Sequence, residues 1–360
     1  MSNTRYFLGG NTPSGFHSLY HELSRPERMQ ALYILKGGPG CGKSTLMRRV
    51  ARHARAAGLD TEEIPCSGDP DSLDGLLLPA LGAAVVDGTA PHVVEPQCPG
   101  AVEQYVDLSR FYDRQALRPL KGELLSAARE YQGHYRQAYR CLGAAGALGE
   151  EVYAAACSPQ AEEKLERRAR GIVGREVKKT GGGEGRLYQR FLSALTCRGR
   201  LTLWETVEAQ AGRVYELRDR YGLAHHLLAP ILSAALAAGH DAVACPDPMA
   251  PRRLAHLILP GLALAFVTST PEQPWPRRPY RRLRLDAAAG AGPQPLNRPK
   301  LRFTQKVMAA LEGDAVDALA RAKAAHDALE GLYHPHVDFA GVDRTADAVA
   351  RELLRLPPLG

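Results

Sequence analysis

The run Gly37-Gly-Pro-Gly-Cys-Gly-Lys-Ser44 fits the phosphate-loop pattern G-x-x-x-x-G-K-[ST] at every fixed position. The chemistry follows from the residue types. Glycines let the backbone curl so that several N–H groups converge on one phosphate, and a helix starting at the loop adds its positive end. Lys43 is expected to reach the β- and γ-phosphates, and the Ser44 hydroxyl to take one Mg²⁺ position. The predicted cradle comprises Gly37, Gly38, Pro39, Gly40, Cys41, Gly42, Lys43, Ser44 and Thr45.

The flanking segments suit that role. Ala31-Leu-Tyr-Ile-Leu-Lys36 reads as a buried parallel strand. Beyond the loop, Leu46, Val50, Ala54 and Ala57 form one stripe of a helix closed by Gly58. Downstream, Leu81-Gly-Ala-Ala-Val-Val86 is a second apolar run, and Asp87 at its end is expected to be the magnesium-side carboxylate. Between them, 61–66 reads as a strand, followed by Asp69, Asp71 and Asp74. Either Asp69 or Asp71 is a candidate base for an acceptor hydroxyl, with Asp71 the one placed in the predicted catalytic set beside Lys43 and Asp87. Asp69 has a second reading as a helix cap, because Pro70 suits a first helical position. His92 and Glu95 are candidates for sensing the γ-phosphate or positioning water.

The chain also resembles itself. Phe7-Leu-Gly-Gly-Asn-Thr12 has a counterpart in Phe191-Leu-Ser-Ala-Leu-Thr196, Leu32-Tyr-Ile-Leu35 in Val214-Tyr-Glu-Leu217, and Ala83-Ala-Val-Val86 in Leu264-Ala-Phe-Val267. The fold expected is therefore α/β: two tandem P-loop NTPase-like lobes, mostly parallel sheets flanked by helices, each with a helical extension. The extensions are read over 115–156 and 304–333, with a final helix over 345–354, and each is expected beside its own sheet. The predicted units are 1–160, a basic glycine-rich linker over 161–188, and 189–360. The second copy lacks the loop. It reads Arg218-Asp-Arg-Tyr-Gly-Leu-Ala-His-His226, without a lysine–serine pair, and Thr268 stands where Asp87 stood. Bulky residues and the Asp219 charge oppose phosphate there, so lobe two is expected to hold no nucleotide. His225 and His226 stand at a helix start with no further metal ligand evident in the sequence, and His334 and His336 read as polar loop residues.

Composition bounds the remaining options. The chain has 360 residues, 45% hydrophobic and 24% charged, with a net charge of +7. It is long enough for two cores and is not of disordered composition. Seven scattered cysteines without a C-x-x-C spacing point to a reducing, cytoplasmic setting, and no membrane span is expected. Arginines within 164–190 could supply a finger to a γ-phosphate, though a solvated charge run is the plainer reading. The stretch 274–284 sets five arginines beside two aromatics, a composition that can grip nucleic acid or simply form a basic surface loop. The Ala/Gly/Pro-rich tract 287–299 reads as lacking fixed structure.

Phe7-Leu-Gly-Gly-Asn-Thr-Pro-Ser-Gly-Phe16, Lys36-Gly-Gly-Pro-Gly-Cys-Gly-Lys-Ser-Thr-Leu-Met47, Cys66-Ser-Gly-Asp-Pro-Asp-Ser-Leu-Asp-Gly75 and Val86-Asp-Gly-Thr-Ala-Pro-His92 together resemble a family of bacterial tandem P-loop ATP-binding proteins. The resemblance spans nearly the whole chain and implies ATP with Mg²⁺, Lys43 and Ser44 taking their usual roles. The second loop departs from the family pattern. The leading expectation is a Mg²⁺-ATP-binding protein with slow ATPase activity and one competent site. The alternatives are a kinase acting on a small molecule or nucleotide, and an ATP-controlled binding module for a protein or nucleic-acid partner.

Overall fold

The computed structural model describes residues 3–23, 25–291 and 296–359. Two six-stranded mixed sheets, each flanked by helices, form two lobes. The first sheet contains β1 (Asn3–Arg5), β4 (Ala31–Lys36), β5 (Thr61–Pro65), β6 (Leu73–Leu78), β7 (Ala83–Asp87) and β8 (Glu103–Asp107), in the order β1-β5-β6-β7-β4-β8. Only β6 runs antiparallel to its neighbours. The second sheet repeats this order with β9 (Leu187–Gln189), β13 (Ala242–Asp247), β14 (Ala250–Leu259), β15 (Leu264–Ser269), β12 (Arg213–Arg218) and β16 (Arg281–Arg284). Small hairpins, β2 (Gly9–Thr12) with β3 (Gly15–Ser18) and β10 (Ser193–Thr196) with β11 (Gly199–Thr202), precede the central strands.

The apolar runs explain these elements. In β4, Ala31 to Leu35 are all buried, as an inner strand with both faces covered requires. The helix α1 (Lys43–Ala56) buries Leu46, Met47, Val50, Ala51 and Ala54 along one stripe, and Gly58 closes it with φ +82°. A shorter α2 (Arg114–Leu117), capped by Asp113, leads into α3 (Lys121–Ala156). In lobe two, α5 (Trp204–Gln210) precedes β12, and α6 (Ala224–Ala237) covers the sheet. Both α3 and α7 (Arg298–Tyr333) span 36 residues, about 54 Å each. They pack on each other through Ala138, Ala318 and Leu319, where small side chains let the backbones approach.

Three organisational expectations need correction. The segment 161–188 is not a linker throughout: α4 (Pro159–Glu176) is a helix whose Ala161, Leu165, Ala169 and Ile172 are buried in the core of lobe two. Those four positions have helical spacing, which intervening Arg and Glu residues disguise as a charge run. Ser158 caps the helix by accepting from Ala161 N at 3.2 Å. The extensions also do not stay with their own sheets. The end of α3 reaches lobe two, where Tyr153 packs on the core, while α8 (Phe339–Leu353) packs on α1 of lobe one. There Val342, Ala346, Val349, Ala350 and Leu353 complete the core of lobe one. Helix α8 begins at Phe339 rather than 345, because Asp338 caps it by accepting from Gly341 N at 3.0 Å. Finally, much of 287–299 is ordered, with a single 3-10 turn ending at Ala287 and α7 starting at Arg298. Residues 292–295 of that tract lie outside the described residues.

Candidate functional site

The glycine loop joins the C-terminal end of β4 to the first residue of α1, so that Lys43 and Ser44 open the helix. Close packing explains its glycines. A Cβ at Gly37 would lie 2.6 Å from Cys41 Sγ, and one at Gly38 2.9 Å from the Tyr112 hydroxyl. Gly40 and Gly42 have φ of +69° and +85°, the left-handed region where side chains are strained. Lys43 folds back along the loop, donating from Nζ to the carbonyls of Gly37 (2.9 Å) and Gly38 (3.0 Å). The Ser44 Oγ accepts from Leu73 N at 2.9 Å, tying the start of α1 to β6. Thr45 is exposed.

Strand β7 lies directly beside β4, with Asp87 paired to Leu35. One carboxylate oxygen of Asp87 accepts from Thr89 N (2.8 Å) and Thr89 Oγ1 (2.6 Å); the other faces Lys43 Nζ at 3.6 Å. The sheet order thus brings Lys43, Ser44 and Asp87 to one end of one lobe.

The acidic residues after β5 behave differently from expectation. No helix follows Asp69: its oxygens accept from Asp71 N (3.2 Å) and Ser72 Oγ (2.9 Å) in a turn that leads straight into β6. A strand wins because Leu73, Leu76 and Leu78 are buried between α1 and the sheet. Asp71 is exposed and paired with Arg198 of the second hairpin, away from Lys43 and Asp87. Glu95 is exposed as well, accepting from the Tyr105 hydroxyl at 2.9 Å.

Asp74, rather than Asp71, lies near Asp87 and Lys43. It is buried, and His92 Nε2 lies 3.2 Å from its Oδ2. Burial pushes the Asp74 carboxyl up from its ordinary value; His92 opposes this, and the Asp87 charge adds to it. Cys66 joins the cluster, its thiol also pushed up by burial and by Asp74. His92 Nδ1 is buried beside it without a hydrogen-bond partner among the described residues, and burial and the neighbouring Asp74 push the Tyr20 hydroxyl well up. The sequence signal for Asp74 was weak: it lies on a strand, where one carboxylate among leucines breaks the burial rule.

The loop is covered by the other half of the chain. Glu330, on the last turn of α7, accepts from Gly40 N at 3.0 Å through its Oε1. Tyr112 donates to the Pro39 carbonyl at 2.9 Å and meets the Tyr333 ring at a tilt of 42°, and Val342 and Phe339 approach Gly42. One amide of the glycine loop therefore already holds an anionic oxygen. Nothing in the loop's sequence points to Glu330, which lies 290 residues away.

The matching loop in lobe two is closed from within. Asp219 follows β12 as Gly37 follows β4, and its carboxylate turns into the curl of the loop. Its oxygens accept from Tyr221 N (3.1 Å) and Ala224 N (2.6 Å), the latter at the start of α6. Burial pushes this carboxyl up to about 6, against the pull of the Leu223, Tyr221 and Ala224 amides. Thr268, paired with Leu217 as Asp87 is with Leu35, donates to the Ala255 carbonyl and has no charge to offer. Of the histidines there, His225 Nδ1 accepts from Leu254 N at 3.3 Å.

Some of the arginines in the basic stretches are held by carboxylates. Arg190 is buried between the lobes, 2.7 Å from Glu62 and 3.8 Å from Glu22. Arg277 is held by Glu208 at 2.9 Å, and Arg282 by Glu216 at 2.5 Å. No described helix is long and apolar enough to cross a membrane. Compared with protein-family models, with curated proteins and with solved structures, the chain matches none.

Proposed function

We propose that the chain binds a magnesium nucleoside triphosphate, ATP by the sequence resemblance, at the glycine loop of lobe one and hydrolyses it slowly. The observation that carries this reading is the convergence of Lys43, Ser44 and Asp87 around a glycine-bound curl whose Gly40 N–H already donates to a Glu330 carboxylate oxygen. The residues fit magnesium and a triphosphate: backbone donors, one lysine, one hydroxyl and one carboxylate, with no room for side chains at Gly37 or Gly38.

Magnesium, when bound, supplies positive charge against the phosphate oxygens. The chain's residues do the rest. Lys43 leaves the carbonyls of Gly37 and Gly38 and neutralises phosphate charge; Ser44 and Asp87 hold the metal side of the site. The loop amides stabilise charge that builds on the oxygens during transfer. As the water oxygen bonds to the γ-phosphorus, the bond from that phosphorus to the β–γ bridging oxygen breaks, and Asp74 takes the water proton. Its upward-shifted carboxyl suits a base, and His92 orients it.

The same Asp74–His92 pair favours one second reading, transfer of the γ-phosphoryl group to a hydroxyl acceptor. The commitment of Arg277 and Arg282 to carboxylates weighs against a nucleic-acid partner at that loop.

Phosphate release from ATP tests the reading. Wild type should turn over in Mg²⁺ buffer and Lys43→Ala should not. Equal turnover by the variant would refute the assignment, and release accelerated by an added acceptor would select the transfer reaction.

A further inference from the structure

Helix α3 ends at Ala156, the chain turns through Cys157 and Ser158, and α4 begins at Pro159. This elbow carries the chain onto the first turn of α6, where His226 stands. Three side chains of different chemistry meet there. Cys157 Sγ lies 3.3 Å from His226 Nε2 and 3.2 Å from Glu162 Oε1, and the Nε2 and Oε1 atoms are 3.9 Å apart. Tyr153 Oη is 2.7 Å from the same Nε2.

We propose that Cys157, Glu162 and His226 form a site for a borderline-soft divalent cation of the zinc type. Donors bound to one tetrahedral ion at about 2.0–2.3 Å lie about 3.3–3.8 Å from each other. The three separations, 3.2, 3.3 and 3.9 Å, bracket that range, so these ligands need to move by only a few tenths of an ångström. One thiolate, one imidazole and one carboxylate is a donor set that suits zinc rather than magnesium or calcium. With its proton on Nδ1, His226 keeps the Nε2 lone pair turned into the cluster. A water would take the fourth position, and Tyr153 Oη, 2.7 Å from Nε2, would give up that hydrogen bond to the ion.

The surroundings are consistent with an added cation. The nearby guanidinium of Arg253, 4.1 Å over the Tyr153 ring, is already neutralised by both oxygens of Glu150 at 2.7 and 2.8 Å. Glu162 is half-exposed, which leaves an entry path from solvent. The ligands come from the α3–α4 elbow, from α4 and from α6, so an ion would pin the crossing of the chain to the loop that Asp219 closes. The thiol proton leaves to solvent when the metal binds.

Cobalt(II) is the probe. The full chain, stripped with a chelator, should bind one Co²⁺ with a thiolate-to-cobalt band in the near ultraviolet that Zn²⁺ bleaches. Cys157→Ser should abolish the band, and Glu162→Gln and His226→Ala should weaken binding by about tenfold or more. Lys43→Ala should leave it unchanged. A second readout needs no variant: Zn²⁺ should slow alkylation of Cys157, followed by mass, and leave the exposed Cys98 unaffected. The proposal is overturned if no band forms, if it survives Cys157→Ser but is lost in Cys66→Ser, or if Zn²⁺ leaves the Cys157 alkylation rate unchanged.

Discussion

Phe7 and Phe191 exchange both main-chain hydrogen bonds, each N–H donating to the other's carbonyl at 2.9 Å. They are also equivalent positions of the two repeats. A reciprocal contact between equivalent residues marks a twofold relation, the isologous geometry of a symmetric dimer held within one chain. Ala138 and Ala318, on the two long helices, share one small core cluster. The symmetry carries the end of α7 to the glycine loop of lobe one and the end of α3 to the closed loop of lobe two. Glu330 and Tyr333 stand over the first, Glu150 and Tyr153 beside the second. Chemistry breaks the symmetry: one loop is a curl of glycines, the other holds Asp219.

Glu330 accepts from the Gly40 amide, which the proposed nucleotide site would need for a phosphate oxygen. Glu330→Ala should tighten nucleotide binding by roughly threefold to tenfold, the scale of one charge-assisted hydrogen bond discounted for its exposure. Titration calorimetry of wild type and variant measures this. Unchanged or weaker binding would mean that the carboxylate does not occupy the phosphate's place.

Asp71 and Asp74 separate two accounts of the chemistry. Asp71 is exposed in a surface ion pair, so Asp71→Asn should change kcat by less than about twofold. Asp74→Asn should lower kcat by about a hundredfold while leaving nucleotide affinity close to wild type. The reverse ranking in a steady-state phosphate assay would return the base to Asp71.

Asp219 gives lobe two a pH signature. Its folded value of about 6 lies above the ordinary 3.8, so burial favours the protonated form. That contribution to stability is complete below about pH 3.8 and is lost as pH rises through about 6. In paired melting curves, the stability of Asp219→Asn relative to wild type should therefore increase between pH 4 and 7, by up to about 3 kcal/mol. A difference that stays flat with pH would show that the carboxylate is not held as described.

Helix α8 belongs to lobe one although it ends the chain. Leu353 is buried against α1, and Arg49 grips Asp347 through bonds of 2.6 and 2.7 Å. Leu353→Ala should cost about 2–5 kcal/mol and weaken nucleotide binding at Lys43, more than 300 residues upstream. If the melting temperature falls while nucleotide affinity is fully retained in the folded protein, α8 supports the core without supporting the loop.

Local pattern made part of this legible. The glycine loop, its strand and helix, and the apolar run ending at Asp87 are each set by neighbouring residues, and each lies where its spacing indicates. The repeat was readable because equivalent core positions keep their apolar character. What escaped depends on contacts between distant segments. The stripe of α4 was masked by charges, β6 by its acidic turn, and Glu330 by the 290 residues that separate it from Gly40. Asp71 and Asp74 are alike as residue types. Their places distinguish them: Asp71 lies in the exposed turn before β6, beside Arg198, and Asp74 lies on the buried strand beside His92.

Titration calorimetry of the intact chain with ATP in magnesium buffer addresses the central claim, that one loop holds a triphosphate and its counterpart does not. One binding event per chain is expected, abolished by Lys43→Ala and preserved in Asp219→Asn. Absence of binding, two events per chain, or wild-type binding by Lys43→Ala would contradict it.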